Sequence, residues 1–212
     1  MTDYYPAFLD LRGRQCVIVG GGTVAQRKAE GLLEAKARVK VIGPKLCAGI
    51  SRLARAGSLE AETRSYRAGD LEGAWMAIAA TDDPEVNAKV AAEAEARGIL
   101  VNVVDDAARC NFIAPSVLRR GEVTIAISTG GKSPALARKL RETLEAVLPE
   151  EYGDLLDLLS QARLEAKRQG KRIAAQKWQE SITPEVMAFL REGAKDKARE
   201  ALLAGLGLET EA

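Results

Sequence analysis

Three small residues at fixed spacing separate an apolar run from a helix-compatible stretch near the start of the chain. Residues 16–19 read Cys-Val-Ile-Val, and Gly20, Gly22 and Ala25 then fill the small positions of a G-x-G-x-x-A turn. The first glycine allows a tight bend, the second lets backbone approach a pyrophosphate, and the third small residue lets the next helix pack on its strand. From Thr23 a helix would offer free N–H groups to phosphate oxygens. The pattern predicts dinucleotide binding; the alternative is a turn that binds nothing.

Other candidate residues follow later apolar runs, because ligands of open parallel sheets bind beyond the carboxyl ends of the strands. After the second run, Pro44 and Lys45 stand where an NAD site usually has an acidic ribose ligand. Lys45 could favour the 2′-phosphate of NADP, so NADP stays open as the cofactor. The alternative is that Lys45 is a solvated loop lysine. After the third, Thr81 is placed to donate to a cofactor, unless it or Asp82 caps the next helix. After the fourth, Asp105 is a general base if burial raises its pKa, and otherwise a structural or solvated aspartate.

A second glycine-rich turn, residues 128–134, reads Ser-Thr-Gly-Gly-Lys-Ser-Pro and again lies between a strand pattern and a helix pattern. Its hydroxyls, its backbone donors and Lys132 suit an anionic group. The spacing is not that of a nucleotide-triphosphate loop. The alternative is an ordinary connection in which Ser133 is the N-cap of the helix and Pro134 its first residue.

The composition excludes several kinds of chemistry. The 212 residues include no histidine, which removes Ser-His and Cys-His nucleophile pairs and the commonest ligand of zinc, copper or nickel, so no metal site is predicted. A formal charge of +1 and 4% aromatic residues favour neither nucleic acid nor membrane as a partner. No apolar run reaches the roughly 18 residues of a membrane span, and the N-terminus lacks a secretory signal pattern. Three cysteines without metal-like spacing indicate a reduced, cytoplasmic setting, with Cys16 in the core.

The elements that must position these residues alternate along the first half of the chain. Strands are predicted at residues 16–19, 39–42, 60–66, 75–80 and 100–104, and helices from 23, over 45–56 and over about 84–97. This rhythm predicts an α/β fold, a Rossmann-like parallel sheet with helices on both faces.

The pattern changes after residue 105. A mixed stretch (112–120) and an alternating strand (123–128) precede an amphipathic helix with Leu136, Leu140, Leu144 and Val147 on one face. Helices with charged outer faces then follow, broken near Gly170 and at 183–184. We therefore predict a cofactor domain (1–113), a small mixed segment (114–150) and a helical C-terminal region (151–212).

Several ordered segments match one protein family in type, order and spacing. They are Tyr5-Pro6, VIVGGGTVAQRKAEGLLEA, AIAATDDPEVN, VNVVDDAARCNFIAPS and ISTGGKSPALARKLRE, and they cover most of residues 4–148. The chain resembles the precorrin-2 dehydrogenases, a family made up of the siroheme synthase N-terminal module and its free-standing bacterial relatives. The helical tail around Trp178 resembles the family's C-terminal region only loosely.

The resemblance implies NAD-dependent oxidation of precorrin-2 to sirohydrochlorin by a homodimer formed through the middle segment. NAD and one positioned base suffice for removal of a hydride and a proton. Some members also insert iron, a step for which Asp105 is again the candidate base, so a dehydrogenase with chelatase activity and a dehydrogenase alone both stay open. The siroheme and cobalamin branches stay open too, as does a non-catalytic NAD-binding module that acts through a partner protein.

The resemblance also implies roles for individual residues. The family's catalytic aspartate falls on Asp105. Its cofactor positions fall on Gly20, Gly22, Thr23, Val24, Pro44 and Lys45, to which the turn pattern and the third strand end add Ala25 and Thr81. Its substrate loop falls on residues 128–131, and we expect Asn102, Ser128, Thr129, Gly130 and Lys132 on the substrate side. Family members also lack the acidic ribose ligand, which weakens the argument for NADP. Asp106 and Lys36 differ from the expected residues and receive no role.

Overall fold

The computed structural model describes residues 4–209. The first three residues of the predicted cofactor domain and the last three of the predicted helical region lie outside this range. The strands, in chain order, are β1 (Gln15–Val19), β2 (Arg38–Gly43), β3 (Glu60–Thr63), β4 (Met76–Ala79), β5 (Leu100–Val103), β6 (Ser116–Arg120) and β7 (Val123–Ile127). The α-helices are α1 (Thr23–Glu34), α2 (Ala48–Arg55), α3 (Pro84–Ala96), α4 (Pro134–Val147), α5 (Glu151–Arg168), α6 (Ala175–Glu180), α7 (Pro184–Arg191) and α8 (Lys195–Leu206). A short 3-10 helix spans Ala107–Arg109.

The first five strands form one parallel sheet in the order β3-β2-β1-β4-β5. A sheet covered on both faces needs continuous apolar strands, and β1 and β4 are buried from Cys16 to Val19 and from Met76 to Ala79. Cys16 and Ile18 join the core that includes residues of α1 and α2, whereas Val17 and Val19 join the core that includes residues of α3. Helices thus cover both faces, and the predicted α/β Rossmann-like fold is confirmed.

Two local predictions were wrong. The helix predicted over 45–56 begins at Ala48, because the preceding residues are held as an extended loop in which the Cys47 N–H donates to the Gly21 carbonyl at 2.8 Å. The stretch 112–120, which showed no clear pattern, contains β6, which pairs antiparallel with β7. Neither hairpin strand is continuously buried, so neither carries the apolar run that marks the central sheet.

Two compact units divide the chain. One comprises the residues up to Ala114 together with Gly130–Lys132, and the other comprises Pro115–Thr129 together with the chain from Ser133 onward. The predicted segments 114–150 and 151–212 therefore share most of one unit. The three-part division of the chain stays a prediction.

The second unit joins the β6–β7 hairpin to helices. Arg120 is buried and donates to the carbonyls of Leu148 (2.7 Å) and Glu145 (3.0 Å), so a cation binds the last carbonyls of α4, where the helix dipole favours it. At the hairpin turn, a Cβ on Gly121 would lie 3.1 Å from the Cα of Gly153 in α5. The helices break at Gly170 and before Pro184, as predicted. Within residues 4–209, no helix is both long and apolar enough to span a membrane.

Candidate active site

Gly20 ends β1 in a conformation that other residues rarely adopt. Its φ is +130°, and a Cβ at this position would lie 2.1 Å from the Ala80 carbonyl oxygen. Its N–H donates to the Ile42 carbonyl at 2.8 Å. The residue is therefore required for the turn itself, as the sequence pattern predicted, and it places the turn between the ends of β2 and β4.

Gly21, to which the sequence analysis gave no role, joins the glycine turn to the loop after β2. A Cβ on Gly21 would lie only 1.8 Å from the Lys45 carbonyl oxygen. Gly43 completes this close packing, because its own Cβ would lie 3.0 Å from the Gly21 nitrogen. The predicted cofactor residues Pro44 and Lys45 thus lie directly beside the glycine turn, and both are exposed.

The N-terminus of α1 is open above Gly22. A Cβ on Gly22 would meet no atom within 4 Å, and no side chain caps the helix. The first N–H groups of a helix have no partner within it, so those of Thr23, Val24 and Ala25 are available to an anion. The Ala25 side chain itself is fully buried and lets α1 pack on the sheet. An open glycine at an uncapped helix start fits the pyrophosphate of a dinucleotide.

Cys47 and Gln26 flank this turn, and the sequence analysis did not identify either as a site residue. The Cys47 thiol lies 3.3 Å from the Gln26 side-chain oxygen and 3.8 Å from the Gly22 carbonyl oxygen. A Cβ on Gly49 would overlap the Gln26 amide. Two glycines were the signal in the sequence for this close packing: Gly43, at the end of β2, approaches the glycine turn, and Gly49, in α2, approaches Gln26.

Thr81 uses its hydroxyl within the loop after β4. The oxygen accepts from the Asp83 N–H at 3.1 Å and lies 2.9 Å from the side-chain oxygen of the buried Asn87, to which it donates. Asn87 in turn donates to the Thr81 carbonyl at 2.9 Å. The N-cap of α3 is Asp83, which accepts from the N–H groups of residues 85 and 86, rather than Thr81 or Asp82. The loop is therefore internally bonded, and a cofactor role for the Thr81 hydroxyl stays a prediction.

Asp105 follows β5 with φ +61°, in the left-handed region. Only two non-glycine residues in the described range have positive φ, the other being Lys36 at +59°. Asp tolerates this region better than most residues, yet such backbone is uncommon and clusters at functional sites. The side chain is exposed, so the first unit alone does not supply the burial on which the sequence argument for a base depended.

Three side chains tie the Asp105 loop, residues 104–112, back to β5. The Asn102 amide donates to the Phe112 carbonyl at 3.3 Å, and substrate contact by Asn102 stays a prediction. The Asn111 side chain accepts from the Val101 N–H at 2.7 Å and donates to the Ile99 carbonyl at 2.9 Å. The Cys110 thiol contacts Val103. Neither Cys110 nor Asn111 carried a signal in the sequence, since both contacts depend on the loop conformation.

The second glycine-rich turn is closed by its own hydroxyl groups. The Thr129 hydroxyl accepts from the Ser133 N–H at 3.1 Å and donates to the Ser133 carbonyl at 3.0 Å. Ser133 caps α4 by accepting from the Leu136 N–H, and Pro134 opens the helix, which confirms the predicted N-cap and first residue. Gly130 has φ +63°, and Ser128 and Lys132 are exposed. Substrate contact by these residues stays a prediction.

The first unit brings the predicted cofactor residues and Asp105 to one edge of the sheet. The carboxyl ends of β2, β1, β4 and β5 lie side by side in that order, and the Val104 N–H donates to the Ala79 carbonyl at 2.9 Å. The described part of the chain contains no group of three or more Cys, Asp or Glu side chains that could hold a metal ion.

Two family models match the chain. The model described as "Putative NAD(P)-binding" matches residues 7–116, about half of the chain, and the model of the central segment of sirohaem biosynthesis proteins matches residues 120–146. The first match confirms the predicted nicotinamide dinucleotide cofactor.

Curated relatives include the siroheme synthase of Nitrosococcus oceani, which is 40% identical over 205 residues, 96% of this chain and 44% of the relative. The siroheme synthase of Chromobacterium violaceum is 48% identical over 153 residues, 72% of this chain and 33% of the relative. The chain thus spans less than half the length of these relatives.

Among solved structures, SirC, a precorrin-2 dehydrogenase, superposes with a TM-score of 0.76 at 28% identity, covering 95% of this chain and 98% of that one. The likeness extends over the whole architecture, including the helices that follow the sheet. The chain belongs to the family of precorrin-2 dehydrogenases and siroheme synthase N-terminal modules that the sequence resemblance indicated.

Proposed function

We propose that the protein catalyses the NAD-dependent oxidation of precorrin-2 to sirohydrochlorin. The observation that carries the proposal is the shared sheet edge, where an uncapped helix start with an open Gly22 lies two strands from an aspartate in strained left-handed backbone. The names of the siroheme synthase and SirC relatives support the substrate. Family membership makes a dehydrogenase the first hypothesis for a chain without histidine.

The chain's own residues divide the work between binding and proton transfer. The N–H groups at the start of α1 bind the pyrophosphate, and Pro44 and Lys45 line the ribose side. Bound NAD supplies the hydride acceptor. Asp105 takes the proton that leaves with the hydride, because its exposed carboxylate follows β5 at the sheet edge that also carries the glycine turn. Exposed Lys132 suits the carboxylates of a tetrapyrrole, with Ser128, Thr129, Gly130 and Asn102 as the other proposed substrate residues.

A direct assay tests the function. Purified protein is incubated with precorrin-2 and NAD, and sirohydrochlorin and NADH are followed by absorbance, with NADP in a parallel reaction. We expect equal formation of both products with NAD and much slower turnover with NADP. Addition of Fe(II) or Co(II) to the product separates a dehydrogenase from an enzyme that also inserts metal. Binding of NAD by calorimetry without any product formation would instead favour a non-catalytic NAD-binding module.

We also propose a homodimer, because the apolar face of α4 is uncovered. Leu136, Leu140 and Val147 are 51%, 42% and 64% exposed, although they form the apolar stripe of an amphipathic helix. A second copy of the same face covers such a stripe in a symmetric dimer. Light scattering should give twice the 22.7 kDa chain mass. Leu140→Glu should shift the mass toward the monomer, whereas Arg138→Glu, off the apolar stripe, should not; a parent that is monomeric at every concentration contradicts the proposal.

We also propose a cytoplasmic location. Three free cysteines in the described chain, none in a disulfide, suit a reducing compartment. Fractionation of cells that produce the full-length protein, with detection in the cytoplasmic fraction, is the test.

A further inference from the structure

The backbone on either side of Asp105 forms a short turn that is closed at both ends. The Asp106 N–H donates to the Val103 carbonyl at 3.3 Å, which makes Asp105 the third residue of a four-residue turn. Positive φ at this position favours Gly or Asn, so an aspartate there must be held by its surroundings. The Asp106 carboxylate is engaged by an ion pair with Arg109, which leaves Asp105 as the exposed carboxylate of the turn.

The Cys110 thiol contacts both ends of this turn. Its sulfur accepts from the Val103 N–H at 3.1 Å and lies 3.3 Å from the Val103 carbonyl oxygen and 3.2 Å from the Asp106 carbonyl oxygen. The Asn102 amide adds a fourth contact at 3.5 Å. Burial raises the pKa of this thiol, so the S–H proton is retained at neutral pH and is donated to one of the two carbonyls.

We propose that Cys110 is a positioning residue for Asp105: its thiol joins Val103 to Asp106 and thereby fixes the location of the Asp105 carboxylate at the cofactor edge. The role in turnover rests on the function proposed above. No chemistry is assigned to the sulfur itself, which remains a thiol throughout. The matched alternative is that Cys110 is only a small filler beneath the loop, in which case a residue of similar size without a donor would serve equally well.

Two substitutions separate these alternatives. Cys110→Ala removes the donor and the acceptor, whereas Cys110→Ser keeps both on a shorter side chain. We expect Cys110→Ala to lower kcat roughly 10-fold, on the scale of a misplaced catalytic group, with the KM and calorimetric Kd for NAD within two-fold of the parent. Cys110→Ser should recover most of the lost kcat. Val186→Ala makes a cavity in the core formed by the C-terminal helices, to which no residue of the loop belongs; it controls for lost stability and should keep the parental kcat.

Hydrogen exchange gives a readout that does not depend on activity. In Cys110→Ala, the amides of the peptide that spans residues 103–110 should exchange at least several-fold faster than in the parent, and Cys110→Ser should restore their protection. Unchanged exchange in Cys110→Ala overturns the positioning role, and so does an equal loss of kcat in the alanine and serine variants. A parent that shows no precorrin-2 turnover overturns the proposed function instead, while the exchange result still decides whether Cys110 holds the loop.

Discussion

The glycine turn after β1 and the Asp105 loop after β5 lie on the same edge of one sheet, yet they are held in different ways. Backbone packs on backbone in the first, where Gly20 and Gly21 approach the Ala80 and Lys45 carbonyls too closely for any side chain. Side chains hold the second, through Cys110 and Asn111. The difference follows from the group that each loop presents to a ligand. Backbone N–H groups are positioned once the backbone is rigid, whereas a carboxylate is positioned only when the loop that carries its side chain is also held in place.

Replacement of the Asp105 carboxylate should give the largest effect. It tests most directly whether the loop after β5 serves to position a catalytic group. Asp105→Asn keeps a residue that tolerates left-handed backbone but removes the base. We expect turnover of precorrin-2 to fall by roughly 10²-fold or more, with the calorimetric Kd for NAD unchanged. Asp106→Ala, which removes the ion-paired neighbour, is the control and should have a much smaller effect. Parental turnover by Asp105→Asn would show that this loop has no catalytic group to position.

The backbone packing at Gly21 should be sensitive to a single methyl group. In Gly21→Ala the new Cβ would start 1.8 Å from the Lys45 carbonyl oxygen, and neither backbone can move without disturbing β1 or β2. We expect the free energy of unfolding in urea to fall by about 3 kcal/mol. The matched control is Gly22→Ala, where the Cβ meets nothing within 4 Å and the loss should stay within about 0.5 kcal/mol. Equal stability of the two variants would mean that the turn is not held by this contact.

A larger residue at position 22 should block NAD binding and leave the fold intact. The space above Gly22 is open in the chain itself, so the Gly22→Val side chain projects where the pyrophosphate is expected. Calorimetry should show NAD affinity weakened by about 10-fold or more, equivalent to about 1.4 kcal/mol. Thermal unfolding should remain close to that of the parent. If Gly22→Val binds NAD as well as the parent, the turn is not the pyrophosphate site.

Lys36 and Asp105, the two non-glycine residues with left-handed backbone in the described range, provide the test with the smallest expected change in stability. Lys36 follows α1 at the position where helices commonly end in glycine, and its side chain is exposed. Lys36→Gly should raise the free energy of unfolding by about 1 kcal/mol, measured in urea, without change in NAD affinity or turnover. Asp105→Gly should relieve similar strain but lower turnover as far as Asp105→Asn does. A Lys36→Gly variant that loses stability would contradict the assignment of strain to these two residues.

The sequence predicted the elements that depend on periodicity and on motif spacing. The apolar run from Cys16 to Val19 marks a buried strand, and Ser133 with Pro134 marks a helix start, because in each case neighbouring residues in the chain determine the outcome. The close packing of Gly21 was not predicted, because the G-x-G-x-x-A pattern gives no role to the residue between its first two glycines. The contacts of Cys110 were not predicted, because all four exist only once the loop has folded back on β5. The carbonyl of Lys45, rather than its charged side chain, turned out to be the group that packs on the glycine turn.

The bonds that hold the Asp105 loop also change how the sheet meets other molecules. As the last strand in the order, β5 would expose a row of backbone groups able to template a strand from another chain, the first step toward aggregation. Asn111 occupies the Ile99 carbonyl and both polar groups of Val101, and Cys110 engages both polar groups of Val103. Every second residue along this border is thereby already bonded. An incoming strand therefore finds few free backbone groups along β5, so the loop that presents the carboxylate also protects this edge of the sheet from pairing with another chain.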